Sequence, residues 1–161
     1  MTVHAMRRKD RALPDEAARE LLRKGEYGFL ATVGADGLPY GVPLSYVLLG
    51  DGLYFHSAME GRKIDNLACC PQVSFTVVGQ TRPVYVKNFT TWYESVMAFG
   101  TVEKVTDDDE KFRALYALAF KYLPEHMDKA EGDIRHSFAR TAVYRLRIES
   151  LTGKAKWPRA S

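Results

Sequence analysis

The sequence predicts a mainly β, α+β fold, with six antiparallel strands rolled into a barrel and helices on its flanks. Three observations carry this expectation. Short segments of alternating apolar and polar residues follow one another across Gly-rich turns. Only three stretches repeat with the helical period. The strand–helix alternation of a doubly wound parallel sheet does not occur.

Pro14, Asp15 and Glu16 suit the first turn of a helix, where a missing N–H costs nothing and carboxylates meet the positive dipole end. Ala17, Ala18, Leu21 and Leu22 follow at helical spacing, and Arg23, Lys24 and Gly25 suit the C-terminus. Gly28 to Val33 then reads as a strand, and Gly34-Ala35-Asp36-Gly37 as a turn. Residues 40–49 read as the next strand, with Tyr40, Val42, Leu44, Tyr46 and Leu48 on one face and Pro43 marking an edge or a bulge. Gly50-Asp51-Gly52 is a second hairpin signal, leading into Leu53 to Ser57.

From Gly61 to Cys70 the period changes. Ile64, Leu67 and Ala68 lie three and four apart until Pro71 stops the pattern, which predicts a short helix. Val73 to Val78 is a strand, Val84-Tyr85-Val86 a weaker candidate, and a long strand lies within Trp92 to Val105. Thr106 and Asp109 give a start signal for a helix to about Tyr122, with Phe112, Leu115, Tyr116, Ala119 and Phe120 as its stripe. The polar stretch 125–135 reads as a loop and 141–150 as the last strand. Residues 1–12 read as a basic arm and 151–161 as a basic tail.

The 161 residues suit a single domain, 1–161. Twenty-three Lys and Arg against 20 Asp and Glu leave a charge of +3, too mild to argue for nucleic acid. No apolar run approaches the roughly 18 residues that cross a bilayer, so no membrane partner is expected. No apolar segment follows the basic start, so the expected location is cytoplasmic. The adjacent Cys69 and Cys70 read as small buried residues. His4, His56, His126 and His136 are scattered, so no metal site is expected. Asp107, Asp108, Asp109 and Glu110 read as a helix start rather than an acid–base cluster, and no nucleophile signature is present.

The most informative stretch runs from Phe55 to Leu67. A strand ends, a short loop follows, and Gly61-Arg62-Lys63 opens a helix. Free N–H groups, the helix dipole and two cations converge there, which suits a phosphate; a loop with a solvated Arg-Lys pair is the alternative. By the period of two, His56 shares a face with Tyr54, and Ser57 shares the other with Phe55.

Gly28 to Thr32, Asp36 to Leu44, Leu53 to Ala58 and Gly61-Arg62-Lys63, in this order, resemble the pyridoxamine 5′-phosphate oxidase-like flavin-binding family. Within it the chain is most similar to the nitroimidazole-resistance (Nim) branch, as are Ser95 to Gly100 and Leu151 to Lys154. The resemblance covers about Met6 to Lys154. It implies a split β-barrel homodimer with one FMN at each end of the subunit interface. Gly61, Arg62 and Lys63 would hold the phosphate, and His56, Ser57 and Ala58 would lie along the flavin. Pro43, Leu44 and Ser45 would touch the ring, and Ser95 would be a further contact. Lys154 and the following tail would reach the partner's cofactor, Trp157 and Arg159 matching the family less closely.

The activity implied is that of an FMN-dependent oxidoreductase reducing a small electron-poor substrate, a nitroimidazole in the Nim branch, with a reduced nicotinamide as donor. His56 would be the catalytic candidate, placing the substrate or supplying a proton. Pyridoxamine 5′-phosphate oxidation is an alternative, although it needs a second phosphate site that no residues here supply. A non-catalytic flavin or haem carrier is another, with His56, His126 or His136 as an axial ligand, and a deazaflavin could replace FMN.

Overall fold

Residues 6–157 are described by a computed structural model. Alternating burial carries the chain through seven strands: β1 (Gly28–Val33), β2 (Pro39–Leu44), β3 (Val47–Leu49), β4 (Gly52–Ser57), β5 (Gln72–Tyr85), β6 (Phe89–Lys104) and β7 (Ala142–Lys156). Four helices interrupt them: α1 (Asp15–Lys24), α2 (Arg62–Cys69), α3 (Asp108–Tyr122) and α4 (Met127–Ser137).

All pairings are antiparallel, in the order β2-β1-β5-β6-β7-β4-β3. The two edge strands, β2 and β3, are consecutive in the chain and joined by only Ser45 and Tyr46. A link that short spans roughly 11 Å at most, so the sheet has to roll until its edges nearly meet. The result is a split barrel whose seam lies at Ser45.

The barrel interior holds Leu22, Leu30, Phe55, Phe75, Val77 and Leu146, none of them exposed. Ala18 and Leu22 of α1 enter this core. The outer face of β3, β4 and β7 carries a second core, in which Val47, Tyr54 and Val143 pack on Ala114 and Leu118 of α3. Phe55 therefore points into the barrel and Tyr54 out toward the helices, as the period of two requires. α3 is capped by the Asp107 carboxylate, which accepts the Glu110 N–H at 2.7 Å.

Four expectations are corrected. Residues 40–49 are two strands rather than one, because the chain crosses the seam at Ser45-Tyr46, which gives seven strands in place of six. Residues 125–135 fall largely within α4, where Ala130 and Ile134 are buried. The expected tail is strand as far as Lys156, because residues 151–156 pair with β6, and Ala12 of the expected arm bridges to Lys154. Cys69 is exposed and Cys70 half-buried, since α2 turns Asn66 and Leu67 inward instead. Residues 1–5, His4 among them, and Arg159 lie outside the described residues.

Candidate flavin and substrate site

The seam is pinned by the last turn of α3. The Lys121 ammonium donates to the Tyr46 carbonyl at 3.0 Å. The Tyr122 hydroxyl accepts the Tyr46 N–H at 3.0 Å and donates to the Glu26 carbonyl at 2.6 Å. Tyr46 itself donates its hydroxyl to the Leu22 carbonyl. Burial lowers the Lys121 pKa to about 8 and raises that of Tyr122. These bonds hold Ser45 at the mouth of a cavity.

That cavity, about 380 Å³, lies between the barrel wall and the α3–α4 layer. Ser45 and His56 border it on the barrel side. Leu115, Leu118 and Ala119 of α3 and Ile134 of α4 form its apolar wall. Asp133, Ser137 and Thr141 add polar edges, and among the described residues no Lys or Arg lines it. The His56 ring reaches solvent, yet displaced water first and the nearby Lys63 charge second lower its pKa. Both effects favour its neutral form, which has one nitrogen to donate and one to accept.

Beyond β4 the chain turns into α2 at Gly61, whose φ of +122° lies in a region open essentially to glycine. A Cβ there would meet nothing within 4 Å, so the space in front of the helix start is open. No side chain caps the first N–H groups of α2. The Arg62 guanidinium lies 5.0 Å from the centre of the Tyr40 ring, and the Lys63 ammonium 5.9 Å from that of Phe55. Among the described residues neither cation has a carboxylate within 4 Å. Lys63 is half-buried, and loss of water lowers its pKa. An open helix N-terminus beside two unpaired cations is a receptor for an anion.

α2 is fixed to the barrel by Asn66, whose amide donates to the Thr32 hydroxyl at 2.9 Å. Thr32 in turn donates to the Tyr40 carbonyl at 3.2 Å. The anion receptor and the β1–β2 hairpin thus share one buried link.

The structure brings Ser45, His56, Lys63 and Arg62 to one end of the barrel, with Ser57 half-buried and Ala58 exposed between β4 and α2. Pro43 and Leu44 complete β2 next to the seam, Pro43 exposed and Leu44 against the core. Ser95 and Lys154 sit directly opposite each other on β6 and β7, and neither lines the cavity. Ser57 pairs with Ala142, near the start of the same long, curved β7 strand.

The wall contributed by α3 and α4 was not foreseen as part of a site. The signal was there in part: Met127, Ala130 and Ile134 recur at helical spacing within the stretch read as a loop. His126 and His136 are exposed on the helical layer, and neither lines the cavity. Among the described residues no three His, Cys, Asp or Glu side chains group closely enough to hold a metal ion.

The receptor's chemistry fits the phosphate of a flavin nucleotide, an anion that the open start of α2 and two cations can meet. Solved structures share the architecture. A candidate 5-nitroimidazole antibiotic resistance protein from Bacteroides thetaiotaomicron superposes with a TM-score of 0.75 at 24% identity, over 89% of this chain and 86% of that one. A FAD and haem binding protein from Mycobacterium smegmatis gives 0.78 at 24% identity, over 92% and 75%. A FAD-binding protein from Mesorhizobium loti gives 0.68 at 28% identity, over 91% and 98%. No curated protein matches the sequence. The sequence profile of the family described as pyridoxamine 5′-phosphate oxidase matches residues 14–155. With nearly the whole barrel inside that match, the chain belongs to the pyridoxamine 5′-phosphate oxidase family.

Proposed function

We propose that this chain is an FMN-dependent oxidoreductase, working as a homodimer, that reduces a small electron-poor substrate with a reduced nicotinamide as donor. One observation carries the reading: Lys63, half-buried and without a carboxylate partner among the described residues, stands beside His56 at the open N-terminus of α2. A charge in that position is unfavourable until an anion meets it.

Gly61, Arg62 and Lys63 hold the phosphate, and Ser57 and Ala58 follow the ribityl chain. Pro43, Leu44 and Ser45 border the ring from the seam. Ser95 and Lys154, which do not line the cavity of their own chain, contact the cofactor of the partner subunit. A bound flavin supplies two-electron transfer between nicotinamide and substrate, which requires no protein nucleophile. His56 donates a hydrogen bond to the substrate from its neutral ring, and Leu115 and Leu118 exclude water from the cavity. The lack of Lys or Arg around the cavity among the described residues favours an uncharged substrate, such as a nitroimidazole, over pyridoxamine phosphate.

The absorption spectrum of the purified protein, before and after adding FMN, tests the cofactor. A perturbed flavin doublet is expected, and failure to retain or take up flavin overturns the proposal. Lys63→Ala is expected to weaken FMN binding by about 1.5–3 kcal/mol through loss of a charge-assisted bond; unchanged affinity removes Lys63 from the site. Anaerobic turnover of a nitroimidazole with NADH or NADPH then tests the reaction. A second reading, haem bound with His56 as axial ligand, is favoured by the neutral imidazole on an apolar wall. A Soret band in place of the flavin doublet decides for it.

A further inference from the structure

The base of the ribbon formed by the far ends of β5 and β6 is held by the Trp92–Trp157 contact and the Lys156–Thr90 hydrogen bond, and its tip beyond them is exposed. β1 pairs with β5 only at Ser74 to Thr76, and β7 leaves β6 at Tyr93. From Arg82↔Trp92 to Tyr85↔Phe89 the two strands pair only with each other among the described residues. A two-stranded ribbon is marginally stable in water unless it packs on something. Its tip nonetheless carries large apolar side chains: Phe89 is 91% exposed, Tyr85 70% and Val86 54%. The tip is also built to a definite shape, since Lys87 takes a left-handed φ of 62° and the Val86 N–H reaches the Asn88 carbonyl at 3.1 Å.

A complementary surface lies at the mouth of the α3–α4 cavity. Tyr116, Phe120 and Leu123, spaced four and three apart on α3, form an exposed stripe ending at the mouth, which Leu123 lines. The charges are matched as well. Between Gly79 and Trp92 the only charged residues are Arg82 and Lys87. Between Leu123 and Asp133 there are four acids, Glu125, Asp128, Glu131 and Asp133, against the single base Lys129. The ribbon also reaches far enough. From Ser95 to Lys87 it spans roughly 26 Å at about 3.3 Å per residue, longer than α3 at about 1.5 Å per residue.

We propose that the β5–β6 ribbon of one subunit lies across the α3 stripe of a second copy and closes that copy's cavity. The proposal rests on the homodimer reading above, in which Ser95 and Lys154 contact the partner's cofactor, because the ribbon continues outward from that pair. The partner then supplies what the cavity lacks, an apolar lid of Tyr85, Val86 and Phe89 over its solvent side. The basic ribbon also meets the Asp133 carboxylate on the cavity lining.

The test is cross-linking of FMN-loaded protein in which Cys69 and Cys70 are replaced by Ser and which carries Phe89→Cys together with Phe120→Cys. A short bismaleimide is expected to give a covalent dimer, and neither single variant should give one in comparable yield. A protein that binds FMN and sediments as a dimer, yet gives no cross-linked dimer, overturns the ribbon contact and leaves the flavin reading standing. A monomer without flavin overturns both. Phe89→Glu is the second arm: subunit dissociation should become about tenfold easier with FMN affinity per dimer retained, whereas unchanged dissociation overturns the contact. Co-sedimentation of the wild type with phosphatidylserine vesicles, lost in Phe89→Glu while the dimer persists unchanged, would assign the tip to a membrane surface instead.

Discussion

The Lys63 ammonium, on the first turn of α2, depresses the pKa of the His56 imidazole, on the last turn of alternation in β4. Burial of the imidazole is the larger cause and Lys63 the second. Replacing Lys63 by Gln should therefore raise the His56 pKa while leaving it below the ordinary value of 6.5. Binding of FMN, whose phosphate offsets the Lys63 charge, should move it in the same direction. Histidine NMR titration of free, FMN-bound and Lys63→Gln protein checks both. The stability consequence follows from linkage. Between the lowered folded value and 6.5 the unfolded chain binds more protons, so stability falls as pH drops through that window. His56→Gln should flatten this dependence in urea melts at pH 5 to 7.

The buried Asn66–Thr32 link is the mechanical joint between α2 and the hairpin. Thr32→Val keeps the shape of the side chain but removes the hydroxyl that accepts the Asn66 amide. A buried donor left without a partner costs about 1–3 kcal/mol, and urea unfolding should show a loss of that size. Because Arg62 rests on Tyr40, whose carbonyl accepts from Thr32, FMN affinity should fall in the same variant. Unchanged FMN affinity would detach the joint from the cofactor site.

What the sequence made legible was local. The alternation through Leu53 to Ser57 put His56 on the face of Tyr54 and Ser57 on that of Phe55, because period two permits no other grouping; which face turns into the barrel is set by the sheet as a whole. The Gly61-Arg62-Lys63 start of α2 was equally readable from its chain neighbours. What stayed hidden depended on distant partners. The break at Ser45 follows from β2 and β3 being the sheet's two edges, a property of the whole topology. β5 continues past Val78 through Gln80, Thr81 and Arg82, exposed residues held by pairing with β6 rather than by an apolar face. α4 has few apolar residues, and only packing on α3 shows that Ile134 faces a cavity. The pairing of Ser95 with Lys154 was not legible, since nothing in either segment names the other.

Ala119 offers a way to separate substrate binding from cofactor binding. It lines the cavity from α3, and no residue of α2 lines that cavity. Ala119→Phe fills part of the 380 Å³ without touching Lys63 or Gly61. FMN affinity should be unchanged and KM for a nitroimidazole should rise about tenfold or more, the range that pocket volume controls. An unchanged KM would place the substrate outside the cavity.

Gly61 and Gly100 separate two reasons for glycine. At Gly100 an added Cβ would stand 1.9 Å from the Arg147 carbonyl oxygen, against backbone that cannot move without opening the β6–β7 pairing. Gly100→Ala should therefore yield largely insoluble protein. At Gly61 the Cβ meets nothing, so the penalty is conformational alone. A φ of +122° costs an L-residue on the order of 1–3 kcal/mol. Gly61→Ala should fold, lose about that much stability in urea, and bind FMN more weakly, because relaxing the strain turns the α2 N–H groups away from the phosphate. Riboflavin, which has no phosphate, distinguishes the causes: its affinity should be nearly the same for Gly61→Ala and wild type. An equal loss for riboflavin and FMN would show that Gly61 shapes the whole pocket rather than the anion receptor.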